Sequence, residues 1–318
     1  MSRIHDALKK AEQETAADAS SRTVAESPLS MPPSLPREGT EAGVAGEGPR
    51  AAQGEGGGAG HSVQPLEALG IRPKQVSWSP DARVFLTFNG ESRSLGTEEF
   101  RTLRSHLSLI RNRKPLQTIL VTSPLSQEGK TFVAANLSQA FVWQQEQRVL
   151  LIDGDLRLSR LHAYLGAPKA PGLADYLCGD ADISAIIQRG PWENFFFIPA
   201  GKSVGNAAEL IGNGRLKILL ERLAPAFDWI VLDSSPAIPV SDARLLAELC
   251  DGVLVVVRVG KTPYDLAQRA WQEVRGNQFQ GVVLNGVHPE SVYSSYYYYR
   301  THESPNRKSS AEGKRDAS

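Results

Sequence analysis

QTILVTSPLSQEGKT, residues 117–131, carries a run of β-branched and apolar residues through a polar loop into Gly-Lys-Thr, where a helical pattern opens at Lys130 and runs to about Gln145. A strand that turns straight into a helix sets up an anion site. The first main-chain N–H groups of a helix have no partner within it, and the helix dipole is positive at that end. The candidate contacts are Ser126, Gln127, Glu128, Gly129, Lys130, Thr131 and Phe132, with the Lys130 ammonium reaching terminal phosphates and the Thr131 hydroxyl helping to hold a divalent cation. The loop departs from the pattern GxxxxGK[ST] at Pro124, which replaces the first glycine, and carries Gln127 where related loops often have glycine.

Outward from this loop, between residues 117 and 290, short apolar runs alternate with helical patterns: QTILVTS, RVLLID, FFFIPA, WIVLDS, GVLVVVRV and GVVLNGV. The alternation predicts a doubly wound α/β fold, a mainly parallel sheet covered by helices on both faces. The near-continuous apolar run VLVVV suits a central strand buried on both sides. An antiparallel sandwich would need alternating strands and few helices. No internal repeat is visible.

Two of these strands end in acid. RVLLIDGDLR, residues 148–157, closes on Asp153 and Asp155, and WIVLDSSP, residues 229–236, closes on Asp233. Ligands of parallel α/β sheets gather at the carboxyl ends of strands, so all three carboxylates are expected at the edge where the phosphate loop lies. A single aspartate in such a place reads as a helix N-cap or a turn former. Three of them beside Gly-Lys-Thr would repel a nucleotide unless a divalent cation intervened, so magnesium follows from charge balance.

Composition bounds the rest of the 318-residue chain. Residues 15–64 are dominated by Ala, Gly, Ser, Pro and Glu and offer too little apolar surface to offset ordering entropy, which predicts a disordered linker. Residues 291–318 predict a flexible tail on the same ground, although five of the chain's eight tyrosines fall there between Tyr293 and Tyr299. Residues 1–14 place Ile4, Leu8 and Ala11 at helical spacing, a short amphipathic helix that either docks on a partner or on the domain, or stays a solvated helix. Residues 65–94 are an ill-defined extension, and 95–290 form the nucleotide-binding domain. Lys plus Arg and Asp plus Glu are equal at 35 each, so no global positive field draws the protein to nucleic acid. No apolar run is long enough to span a bilayer, and the first residues lack the apolar segment of a signal peptide, so a cytosolic protein is expected. Cys178 and Cys250 are far apart and have no metal-ligand spacing, which fits a reducing compartment.

The loop TSPLSQEGKT, the motif LLIDGDLR, the motif IVLDSSPAIPVSDA, an E-x-x-R-x-x-R helix formed by Glu98, Arg101 and Arg104, and the cluster Tyr293, Tyr296, Tyr297, Tyr298 and Tyr299 together give the chain from roughly residue 95 to 299 its resemblance. It resembles the bacterial tyrosine kinases of capsule and exopolysaccharide export, of the CpsD/CapB and Wzc type. The resemblance implies a sheet of P-loop NTPase type, MinD/ParA-like, that binds ATP with magnesium and transfers phosphate to the tyrosine cluster, usually of a neighbouring subunit. It implies that Lys130 stabilises the transferring phosphate, Thr131 and Asp155 bind magnesium, Asp233 supports the metal and its water, and Asp153 is the base. It further implies a homo-oligomer through the Glu98, Arg101 and Arg104 helix, a ring where the rotation between subunits closes. The implied activator is a transmembrane polysaccharide co-polymerase that recruits the protein to the inner face of the cytoplasmic membrane. The chain departs from the family at Ser126, Gln127 and Ser235, where Pro, Gly and Pro are common, and Gln127 would carry a penalty of about 1–2 kcal/mol if its backbone must be left-handed.

A phenol is neutral at cytosolic pH, so a carboxylate set against it can accept its proton as transfer proceeds. A partitioning ATPase of the MinD/ParA type is the competing reading, but its loop carries an early lysine at the position of Leu125. A third reading is a non-catalytic regulator of an export complex. The aromatic cluster itself has high β-propensity and could instead serve as an edge strand. Asn285 closes GVVLN and either contacts the adenine base or forms a turn. Lys130→Met is expected to abolish tail phosphorylation with the fold intact.

Overall fold

The computed structural model describes residues 63–86, 95–144, 147–276 and 278–287. The helix expected at 1–14, nearly all of the linker at 15–64 and the tyrosine cluster lie outside the described residues. The strands are β1 (Lys74–Gln75), β2 (Thr118–Thr122), β3 (Val149–Asp153), β4 (Gln188–Arg189), β5 (Phe195–Ile198), β6 (Trp229–Asp233), β7 (Gly252–Arg258) and β8 (Phe279–Asn285). They form one eight-stranded sheet in the order β1-β4-β5-β3-β6-β2-β7-β8. Every neighbouring pair is parallel except β4 with β5. Each apolar run read from the sequence is a strand of this sheet, as the doubly wound reading requires.

Period-two alternation divides the core. Leu120, Leu150, Ile152, Ile230, Leu232 and Val255 pack on one side. Ile119, Val121, Leu151, Val231, Leu254 and Val256 pack on the other. The second side is covered by α1 (Leu95–Arg111) and α2 (Lys130–Val142). Helix α2 is buried from Val133 to Val142, so it presents no face to solvent there and reads as a core helix. Its Phe141 stacks on Trp229 at 4.1 Å between ring centroids, and Arg111 lies over the same indole at 4.8 Å. The remaining α-helices are α3 (Leu161–Leu165), α4 (Leu173–Cys178), α5 (Ile183–Ile186), α6 (Ala207–Gly212), α7 (Arg215–Leu223), α8 (Asp242–Ala247) and α9 (Tyr264–Glu273).

Residues 65–86, the described part of the stretch 65–94 expected as an ill-defined extension, are part of this body, together with residues 63 and 64 from the end of the expected linker. β1 pairs with β4, and Leu66, Ile71, Trp78 and Phe85 are buried. Trp78 meets Phe195 and Phe197 edge-on at 5.5 and 6.2 Å. Asn136 of α2 ties the segment to the site, its Oδ1 accepting from Leu86 N at 3.0 Å and its Nδ2 donating to Val84 O at 2.6 Å. Four separated apolar anchors do not make a periodic pattern, which is why the segment is quiet in the sequence.

Candidate nucleotide and metal site

The carboxyl ends of β2, β3 and β6 meet because the strands are adjacent in the sheet, with Asp153 in register opposite Asp233. Lys130, the first residue of α2, points back over that edge. Its Nζ lies 3.0 Å from Asp155 Oδ2, 3.8 Å from Asp233 Oδ1 and 3.3 Å from Thr131 Oγ1. One ammonium thus faces two carboxylates that are themselves buried.

The three acids are not equivalent. Asp155 lines a cleft of about 470 Å³ together with Ser126, Gln127, Gly129, Lys130 and Thr131. Its Oδ1 accepts from Leu158 N at 3.0 Å, which leaves Oδ2 to Lys130. Asp153 is fully buried behind that wall. Ser159 Oγ donates to its Oδ2 at 2.8 Å, and Asp155 N to its Oδ1 at 3.3 Å. Burial, reinforced by the charge of Asp233, pushes the Asp153 carboxyl up to about 7. Burial also pushes Asp233 up, to about 6, against the opposing pull of Lys130. Burial alone would lower the Lys130 ammonium, but Asp233 and Asp155 outweigh it and hold it above its ordinary value. The lysine is therefore charged at any physiological pH.

The loop itself is held by groups remote in sequence. Gln127 has φ +65°, so the left-handed angle that glycine would adopt freely is in fact required here. Gly129 has φ +100°, and a Cβ on it would lie 2.0 Å from Asn285 Nδ2. That Nδ2 donates to Glu128 O at 2.9 Å, while Asn285 Oδ1 accepts from Gly286 N at 2.9 Å. The structure thus sets Asn285 on the loop backbone. Arg258 at the end of β7 donates to Gln127 O at 3.0 Å. Glu128, expected to meet the nucleotide, braces the loop from within: its carboxylate accepts from Leu125 N at 2.9 Å and from the Thr262 hydroxyl. Phe132 lines the cleft and tilts against Phe100 at 5.8 Å.

Two further features went unread in the sequence. Arg157, in the wall of the cleft, forms a bidentate pair with the buried Asp242 at 2.6 and 3.0 Å, fixing the β3 turn to the start of α8. Its place inside LLIDGDLR was the available signal; its partner was not. Ser235, noted only as a departure, lines the cleft with its hydroxyl buried and unpartnered. Glu98 and Arg101 hydrogen-bond one another on the surface of α1, whereas Arg104 turns inward and donates to Ala140 O at 3.0 Å.

The donor set fits magnesium. Among the described residues no group of three or more His, Cys, Asp or Glu side chains could cage a metal. Magnesium needs no such cage, since it takes one or two carboxylates and completes its shell with water and phosphate. Asp155 supplies one such carboxylate, and Thr131 adds a hydroxyl oxygen. The Asp233 Oδ1, buried without a hydrogen bond, is an acceptor suited to a metal-bound water.

No helix among the described residues is long and apolar enough to cross a membrane. Residues 118–274 match the family model of an AAA domain. Over 213 residues the chain is 30% identical to the tyrosine-protein kinase YwqD of Bacillus subtilis, covering 66% of this chain and 89% of YwqD. It is 30% identical over 213 residues to the tyrosine-protein kinase Wzc of Salmonella typhi, covering 66% of this chain but only 30% of that longer relative. The solved kinase domain of the Escherichia coli tyrosine kinase ETK superposes with a TM-score of 0.60 at 28% identity, covering 70% of this chain and 92% of that domain. With a phosphate loop, strand-end aspartates and a near full-length match to YwqD in one fold, the chain belongs to the family of bacterial tyrosine-protein kinases.

Proposed function

We propose that this protein is an ATP-dependent tyrosine autokinase that phosphorylates its own cluster of Tyr293, Tyr296, Tyr297, Tyr298 and Tyr299 and acts with a transmembrane polysaccharide co-polymerase in capsule or exopolysaccharide export. The observation that carries the reading is the convergence of Lys130 and Asp155, which line one cleft, with Asp233 buried beside them. Thr131 and Asp155 would hold magnesium, which would neutralise charge on the nucleotide's phosphates. Main-chain groups from Ser126 to Thr131 hold those phosphates, and Lys130 stabilises the charge on the group being transferred. Most of the rate comes from such positioning and neutralisation, because phosphoryl transfer has a loose transition state. The phenolic oxygen forms the new bond to phosphorus as the bond to ADP breaks; for the phenolic proton to pass to Asp153, the wall at Ser159 that buries this carboxyl must open. The raised proton affinity of Asp153 suits it to that role near neutral pH.

A head-to-tail contact between copies uses Glu98 and Arg101, the exposed pair on α1. The expected result with full-length protein and magnesium-ATP is phosphotyrosine confined to residues 293–299 by peptide mass mapping. ATP hydrolysis without tail phosphate would replace the kinase reading with the ATPase; neither activity would leave the scaffold.

A further inference from the structure

β8 is the outer strand of the sheet, and among the described residues nothing pairs with its far edge. Asn285 O accepts from Val259 N at 2.9 Å, so the backbone of Asn285 faces β7. By alternation, Val282 and Leu284 turn their N–H and C=O groups to the open edge. These two residues are 53% and 59% exposed. Val282 lies in register with Val255, which packs with Ala270 and Val274 under α9, so this apolar strip continues the core face beyond the helix that covers it. An open edge with an apolar face is a template for another strand.

We propose that the chain's own residues 291–299 cover this edge as an added antiparallel strand while their tyrosines are unmodified, and that phosphate on them releases the strand. Five residues, 286–290, separate the end of β8 from this segment. That is a hairpin-loop length, and the loop opens on Gly286 at φ +74°. So short a connection keeps the segment at roughly millimolar effective concentration beside the edge, far above what a second copy or a distant segment offers. The sequence SVYSSYYYY is rich in the aromatic type that strands favour. A five-residue loop sets Val292 opposite Leu284 and Tyr296 diagonal to Val282, within reach of an aromatic ring. Mainly parallel sheets commonly carry an antiparallel strand at an edge, as this one does at β1 and β4. Phosphate brings close to two negative charges to Tyr296 or Tyr298, on the strand face turned to Val282 and Leu284, where desolvation opposes them. Only the release half rests on the autokinase reading.

Hydrogen exchange at the Val282 and Leu284 amides tests both halves, using phosphatase-treated full chain, a chain ending at Glu290 and a chain lacking residues 1–14. Both amides should exchange roughly tenfold or more slowly in the full chain than in the chain ending at Glu290, with no change on removing residues 1–14. Equal exchange with and without the tail overturns the proposal. So does protection that disappears with residues 1–14, which would assign the edge to that segment. Protection that survives tail removal and grows with protein concentration would assign it to a second copy and overturns it as well. Val282→Lys, which charges the face without touching the tail, should lose the Leu284 protection. For release, Tyr296→Glu with Tyr298→Glu should exchange like the tail-less chain without any need for kinase activity. Retained protection there overturns release, whereas absence of phosphotyrosine after ATP treatment bears on the autokinase reading alone.

Discussion

Replacing Lys130 with methionine should destabilise the protein before any reaction is assayed. The ammonium is the cation that faces Asp155 at 3.0 Å and Asp233 at 3.8 Å, and its side chain is only 12% exposed. Removing one partner of a buried charge cluster leaves the others uncompensated, a loss of about 3–5 kcal/mol. For a domain of this size that lowers the melting temperature by on the order of 10 °C in EDTA. The pH dependence identifies the cause. Asp153 and Asp233 have folded-state values of about 7 and about 6 against an ordinary 3.8, so between those limits the folded protein holds protons that the unfolded chain releases. Their contribution therefore becomes less favourable as pH rises through that window. Lys130 lowers both carboxyls, so without it they rise further and the penalty is largest above neutrality. Urea unfolding in EDTA should show the variant's deficit near its full size at pH 8 and clearly smaller at pH 5.5. An equal deficit at both pH values, or none at pH 8, would refute charge compensation as the role of this lysine. The expectation that the variant keeps its fold intact is thereby narrowed, since its activity must be compared at matched folded fraction.

Gln127→Gly removes a left-handed penalty of about 1–2 kcal/mol and adds about 0.5–1 kcal/mol of unfolded-chain entropy, so the urea midpoint should rise slightly; a fall would show that the glutamine side chain carries a contact of its own. Gly129→Ala would drive a methyl into Asn285 and break its bond to Glu128, so calorimetry should find ATP binding lost, and unchanged binding would sink the strap. Arg157→Ala strands the buried Asp242 carboxylate. Because the arginine side chain is 38% exposed and water can enter, the expected loss is about 1–3 kcal/mol, recovered in the double variant with Asp242→Asn; a loss that the second change does not recover would place Arg157's role elsewhere.

The local part of this protein was legible as text. A strand, a polar loop and a helix in succession announced the phosphate site, and apolar runs ending in Asp153, Asp155 and Asp233 announced the acidic edge, because strand and helix periodicity depend on neighbours a few residues away. What required the fold was everything set by residues far apart. Arg258, Thr262 and Asn285 hold the loop across 131, 134 and 157 positions of sequence, and no periodic pattern connects such partners. The same holds for residues 63–86, whose few apolar anchors find pockets made by strands more than a hundred residues later. Depth, too, was decided only by packing. Asp153 and Asp155 stand two positions apart in one motif, yet one is sealed behind the wall and the other opens into the cleft. Proton affinity follows solvent access rather than residue type, so roles that look interchangeable in sequence separate once the sheet edge has closed around them.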